Sequence, residues 1–264
     1  MLNILVCIKQ VPDTSEIKID PVTNTLIRAG VPSIVNPFDT YALEVAVELK
    51  ESCGGTVTVV SMGPPQAKDA LKQCLSVGAD RAFLMTDRAV GGSDTLATSY
   101  ILSCVARHLG PFDVIFCGKQ AIDGDTGQVG PEMAEHLGLP QITYATAVEY
   151  KDGGIRVRRE IDDGWEIIGA DTPVIVTVNK TQKEPRMATL MSKMAANRAV
   201  IQEIHCADLE HMDLDRVGLT GSPTKVQRTF TPDRSKHGVK LAGKPAQESA
   251  RELVALLADK RLIS

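Results

Sequence analysis

The chain has 264 residues, with 29 basic against 33 acidic side chains and a formal charge of −4. That balance excludes a binder held to nucleic acid by charge alone, while the length suits one large α/β domain, with or without a small appendage. Cys7, Cys53, Cys74, Cys104, Cys117 and Cys206 form no C-x-x-C pair, no apolar run reaches 18 residues, and the N-terminal run is too short for a signal peptide, so free thiols in a soluble, cytoplasmic protein without membrane insertion are expected.

Residues 2–8, LNILVCI, read as a strand covered on both faces, because the apolar run is continuous. TVTVVSM (56–62), RAFLMT (81–86) and DVIFCG (113–118) repeat that pattern, and helix-like segments at 39–52, 65–78 and 93–110 separate the four runs. Asp39 is expected to cap the first of these helices. The alternation predicts a parallel sheet in a three-layer α/β nucleotide-binding domain. After about residue 141 the turn clusters KDGG and DDG divide β-rich runs that close on PVIVTV (173–178), which predicts an antiparallel hairpin extension of the same sheet. From Lys180 the chain is polar and loop-like, then rich in Gly, Pro and Thr, and it ends in a helix around 246–259. The expected organisation is therefore an α/β domain over 1–185, followed over 186–264 by a partner-recognition loop and an extended C-terminal arm. Too little apolar periodicity remains in the arm to build a second core.

In open α/β sheets, ligands collect beyond the carboxyl ends of the strands, which directs attention to the loops 7–14, 62–65 and 118–129. MGPP (62–65) ends a strand and starts a helix, so it is either an ordinary turn or a phosphate-facing helix end. NPFD (36–39) reads first as turn chemistry. GGSDTLATS (91–99) places Ser93, Asp94 and Thr95, with Gly91 before and Thr98 after, at a helix start. The segment serves either as a plain cap or as a set of donors for phosphate and ribose. The longest loop, CGKQAIDGDTGQVG (117–130), fits neither G-x-G-x-x-G nor G-K-[ST]. Its Asp123 and Asp125 fail the calcium-loop pattern, since the twelfth position is Ala134, and their neighbours Gly124, Thr126, Gly127 and Gln128 favour nucleotide binding over a two-carboxylate hydrolase. The histidines show no H-E-x-x-H spacing and no G-x-S-x-G is present, so neither a metal nor a catalytic side chain is expected. Phosphate-holding loops without a nucleophile point to a cofactor that brings its own reactivity.

In order along the chain, ILVCIKQVPD (4–13), NPFD, VVSMGPP (59–65), LSVGADRA (75–82), GKQAIDGDTGQVG (118–130) and EPRMATLMSKM (184–194) resemble the β subunit of electron-transfer flavoproteins over essentially the whole length. The resemblance implies a heterodimer in which this chain binds an adenine nucleotide and an α subunit holds a flavin. Carried over by motif, the nucleotide contacts are Cys7, the turn Asn36, Pro37, Phe38 and Asp39, then Met62 and Gly63. The loop Gly118, Lys119, Gln120, Ala121, Ile122, Asp123, Gly124, Asp125, Thr126, Gly127, Gln128 and Val129 completes the set. Leu190 takes the place of the leucine that docks into an acyl-CoA dehydrogenase, the plainer reading being a loop leucine packed on its own chain. MSKMAANRAV (191–200) lacks the lysine cluster of mitochondrial-type members, and with KIDPVTNTLIR (18–28), GGSDTLATS and GSPTKVQRTFTP (221–232) it looks like the anaerobic bacterial branch. That branch implies FAD in place of AMP, hydride from NADH, and electrons divided between ferredoxin or flavodoxin and the α-subunit flavin. A non-bifurcating subunit with AMP and a stand-alone ATP-binding protein remain as alternatives.

Overall fold

Burial of alternate side chains on both faces of β1 (Leu2–Cys7) sets up the layers. Ile4 and Val6 join a core shared with helices α1 (Pro37–Cys53) and α2 (Lys68–Ser76), whereas Leu5 and Cys7 join one shared with α3 (Thr95–Leu109) and α4 (Val129–Leu137). This is the expected three-layer arrangement, in a computed structural model that describes residues 1–13, 32–227, 238–241 and 243–263. The segment 18–28 and the end of 221–232, both used to place the branch, lie outside the described residues.

The remaining strands are β2 (Gln10–Pro12), β3 (Ser33–Val35), β4 (Gly55–Met62), β5 (Arg81–Met85), β6 (Val114–Gly118), β7 (Gln141–Lys151), β8 (Gly154–Ile161), β9 (Gly164–Asp171), β10 (Val174–Val178) and β11 (Gln202–Ile204). Nine of them form one sheet in the order β11-β5-β4-β1-β6-β10-β7-β8-β9, and β2 pairs with β3. Within the large sheet only the β7–β8 and β8–β9 pairings are antiparallel, so β8 alone runs against the other strands; β7 is parallel to β10, which inserts between β6 and β7. The hairpin extension is thus β7 to β9, and β10 belongs to the parallel core. Every residue of VIVTV in β10 is buried, as a strand covered on two faces requires, while β9 alternates between exposed and half-buried positions.

Two expectations need correction. Asp39 does not cap α1: the helix begins at Pro37, Asn36 stands at the cap position, and Asp39 is buried in the first turn. The stretch after 185 is also not all arm. The compact unit runs from Met1 to Gln227, with α5 (Leu190–Arg198) against α2, β11 on the edge strand β5, and Ile204, Leu209 and Val217 buried in the α3 and α4 layer. Isolated apolar residues suffice there because an existing core receives them. A second unit, Arg228–Ser264, contains α6 (Ala246–Asp259), steadied by a Lys244–Glu252 ion pair at 2.6 Å.

Candidate functional site

The order of strands reverses beside β1: the chain proceeds outward through β4 and β5, then crosses over to β6 on the other side. Connections diverging from that point open a crevice at the carboxyl ends of the strands. It holds a cleft of about 1080 Å³, lined from His205 beyond β11 to the loop between β6 and α4.

Asn36 ties the floor together. Wholly buried, it donates from Nδ2 to Asp39 Oδ1 (2.9 Å) and to the Gln120 carbonyl (2.8 Å), and its Oδ1 accepts from the Ile122 N–H at 3.1 Å. Asp39 Oδ2 accepts from the Lys9 N–H at 2.7 Å. Burial pushes the Asp39 carboxyl up to about 7, against the opposing pull of Asn36 and of the Lys9 and Gly118 amides. A Cβ on Gly118 would lie 2.2 Å from Asp39 Oδ1, so only glycine lets β6 end this close to α1. Cys7 lies beside Cys117 across the strand pair, and that neighbouring thiol, together with burial, holds the Cys7 thiol well above the ordinary range. It is a packing group, not a nucleophile.

The loop after β6 presents donors to the cleft. Gly127 turns it with φ +64°, and α4 then begins with no side chain capping it. Pro131 has no N–H, so the Val129 and Gly130 amides are the ones that a helix end offers to an anion. Lys119 lies 5.7 Å from the Phe38 ring centre and 5.5 Å from that of Tyr144. Asp123 is neutralised by Lys9 Nζ at 2.7 Å, and Asp125 accepts from Gln120 Nε2 at 2.8 Å. An anionic nucleotide therefore meets no unpaired loop carboxylate, and the donor set fits one. Of the expected contacts here, Gly118 to Ala121, Asp123, Gly124 and Thr126 to Val129 line the cleft. Asn36, Pro37, Phe38, Ile122 and Asp125 do not line it, and of these Asn36 acts from beneath through its bond to the Ile122 amide.

Across the cleft, Gly91, Ser93, Asp94, Thr95 and Thr98 all line the wall, but several hydroxyl and carboxyl groups serve the chain itself. Ser93 Oγ donates to the Val90 carbonyl and accepts from the Gly218 N–H. Asp94 caps α3 through the Ala97 N–H at 3.1 Å and accepts from the Thr224 N–H at 2.9 Å. Burial would raise its carboxyl, yet these amides bring it below the usual range. Thr95 reaches Gln128, just before α4, and Glu132 on it, both at 3.2 Å. Met62 and Gly63 line the third wall with Pro64 and Pro65, and a short 3-10 turn at Pro65–Ala67 precedes α2. Two prolines remove two amides, so this turn is an apolar wall and not a phosphate-facing helix end.

Lys9, within the expected loop 7–14 but not singled out there, also lines the cleft, as do Arg88 and His205, which escaped the sequence reading. His205 Nδ1 donates to the Thr86 carbonyl at 2.7 Å, which leaves Nε2 3.5 Å from Glu203. Arg88 lies just beyond Thr86 and Asp87 at the end of β5, and the rule that sends ligands to strand carboxyl ends would have flagged it. Among the described residues no group of His, Cys, Asp and Glu is placed to hold a metal ion, and no helix is long and apolar enough to cross a membrane.

Leu190 opens α5 and does not line the cleft, and Met187, Met191 and Met194 are exposed like it. Thr189 caps the helix by accepting from the Ser192 N–H at 3.1 Å.

A family model, the electron transfer flavoprotein domain, matches residues 23–209. The electron transfer flavoprotein subunit beta of Clostridium acetobutylicum is 48% identical over 99% of this chain and 100% of its own, so the likeness extends from the cleft to the last helix. Subunit CarD of the caffeyl-CoA reductase-Etf complex of Acetobacterium woodii is 43% identical over 99% and 100% of the two chains. Protein FixA of Azorhizobium caulinodans is 44% identical over 88% and 85%.

Proposed function

The chain belongs to the electron transfer flavoprotein family as a beta subunit, and from that premise we propose that its cleft holds FAD. NADH reduces that site, and the electrons divide between ferredoxin or flavodoxin and the flavin of an alpha subunit serving an acyl-CoA or related dehydrogenase. The observation that carries the reading is the breadth of the cleft. It crosses the ends of five neighbouring strands, about 19 Å at ~4.8 Å per strand gap, with Lys119 toward one side and Arg88 toward the other. A nucleoside monophosphate has one anionic group to place, whereas a dinucleotide has a pyrophosphate and a longer chain.

Bound FAD supplies both the two-electron and the one-electron chemistry, which is why no protein nucleophile is required. The residues bind and orient it. Val129 and Gly130 amides with Lys119 attract phosphate, Asn36 keeps the loop in place over the floor, and Pro64 and Pro65 exclude water along one wall. Thr98 and Thr126 supply hydroxyls at the rim. The membership brings an alpha-subunit partner, and CarD, named for its complex with a caffeyl-CoA reductase, supports a dehydrogenase-type third partner.

The internal commitments of Ser93 and Asp94 favour a second reading, a subunit with AMP that does not bifurcate, because they remove donors that a longer ligand would use. The heterodimer decides between them by its flavin count and by NADH-dependent ferredoxin reduction with the dehydrogenase present. Two FAD per heterodimer with ferredoxin reduction supports bifurcation; one FAD with one AMP and no ferredoxin reduction establishes the second reading.

A further inference from the structure

The chain leaving β10 has no regular structure until α5, yet its base is fixed at one residue. Arg186 sets Nε and Nη2 on the Glu44 carboxylate at 2.9 and 3.0 Å, and Nη1 and Nη2 on Glu51 at 2.5 and 3.0 Å. Its backbone N–H donates to Glu44 Oε2 at 2.9 Å. Glu44 is 3% exposed, on the same helix α1 whose first turn carries Asp39 at the cleft floor. Lys183 adds ion pairs to Glu48 and Glu44, and the Tyr41 hydroxyl donates to Glu184 at 2.7 Å. Burial alone would raise the Glu44 carboxyl, but the Arg186 guanidinium and amide hold it below the usual carboxylate range.

A guanidinium fork on two carboxylates dictates direction as well as distance, which a lysine ammonium does not. Directly beyond it stand Met187, 94% exposed, and Leu190, 75% exposed. A loose segment would have to be ordered whenever its apolar side chains entered a partner, at a cost to affinity; a fixed base removes part of that cost. We propose that Arg186, clamped by Glu44 and Glu51, is a positioning residue that presents Met187 to Leu190 to the dehydrogenase. The proposal rests on the docking role given to Leu190.

The test uses the cofactor-loaded heterodimer with the dehydrogenase as the varied partner. Arg186→Lys is expected to raise KM for the dehydrogenase on the order of tenfold, with cofactor content and the rate to an artificial acceptor unchanged. In a Leu190→Ala background the same substitution adds no further rise, since both act through one contact. Glu51→Gln, at an exposed partner that folding does not need, gives a smaller rise of about twofold and faster hydrogen exchange at the Met187 to Leu190 amides. A normal KM in Arg186→Lys while Leu190→Ala raises it, or effects of the two that multiply, overturns the clamp alone. An unaltered KM in Leu190→Ala overturns the docking reading and the clamp with it.

Discussion

β6 and β10 are parallel neighbours, with Cys117 beside Thr177 and Gly118 beside Val178, and each feeds a segment that ends in a nine-residue helix. The two segments are finished in opposite ways. The one after β6 is drawn inward by buried Asn36, and α4 begins with its amides uncapped beside the cleft. The one after β10 is pinned by Arg186 to the flank of α1, and α5 begins with Thr189 satisfying its own amide while Leu190 and Met191 point to solvent. A helix that leaves its first amides unmet is suited to receive an anion, whereas one that satisfies them itself is suited to be covered by another protein.

Breaking the inward segment should have the larger consequences. Gly118→Ala drives a methyl into Asp39 and the α1 backbone, and should cost about 3 kcal/mol of stability with loss of bound nucleotide, read by denaturant melts and by nucleotide release. Asn36→Ala leaves the Gln120 carbonyl and the Ile122 N–H without their buried partner. About 2 kcal/mol of stability and a faster nucleotide off-rate are expected, measured by thermal melting and stopped-flow chase. Exchanging the helix ends sharpens the contrast. Gln128→Asp puts a negative charge beside the uncapped first amides of α4, so nucleotide affinity should fall on the order of tenfold while melting does not. Thr189→Ala removes the cap of α5 and should cost about 1 kcal/mol locally, visible as faster exchange of the first α5 amides, with nucleotide binding untouched.

The last test concerns pH. Burial lifts Asp39 from 3.8 to about 7, so the folded chain keeps a proton that the unfolded chain releases above about pH 4. The stability contributed by this group is complete below that point and is lost as the pH rises through about 7. The Asp39 carboxyl carbon of the nucleotide-free protein should titrate by NMR with a midpoint near 7. A midpoint below 4 would mean that the donors from Asn36, Lys9 and Gly118 outweigh burial.

Much of the cleft was legible because its pieces are local. The end of a continuous apolar run marks a strand's carboxyl end, and Gly127 announces a turn, so residues 118–129 stood out without any tertiary knowledge. Ser93 and Asp94 were legible as a helix start, but their partners Gly218, Ser222 and Thr224 lie more than a hundred residues away, and sequence spacing carries no trace of them. Arg88 and His205 were missed for a related reason. Each is an ordinary polar residue until β11 pairs with β5 and brings Glu203 and His205 to the rim that Arg88 already occupies.

By itself the sequence determined the alternation of strands and helices, the parallel sheet, the loops that line the cleft, and, through coincident motifs, the family. These follow from short-range rules: apolar periodicity, helix starts and turn chemistry act over a few residues. Only the tertiary structure decided that β10 lies inside the sheet, that Asp39 is a buried floor residue instead of a cap, that residues 196–222 complete the core, and that Glu44 reaches across to Arg186. Each of those depends on which distant surface a residue meets, and burial and long-range hydrogen bonds exist only once the layers have closed.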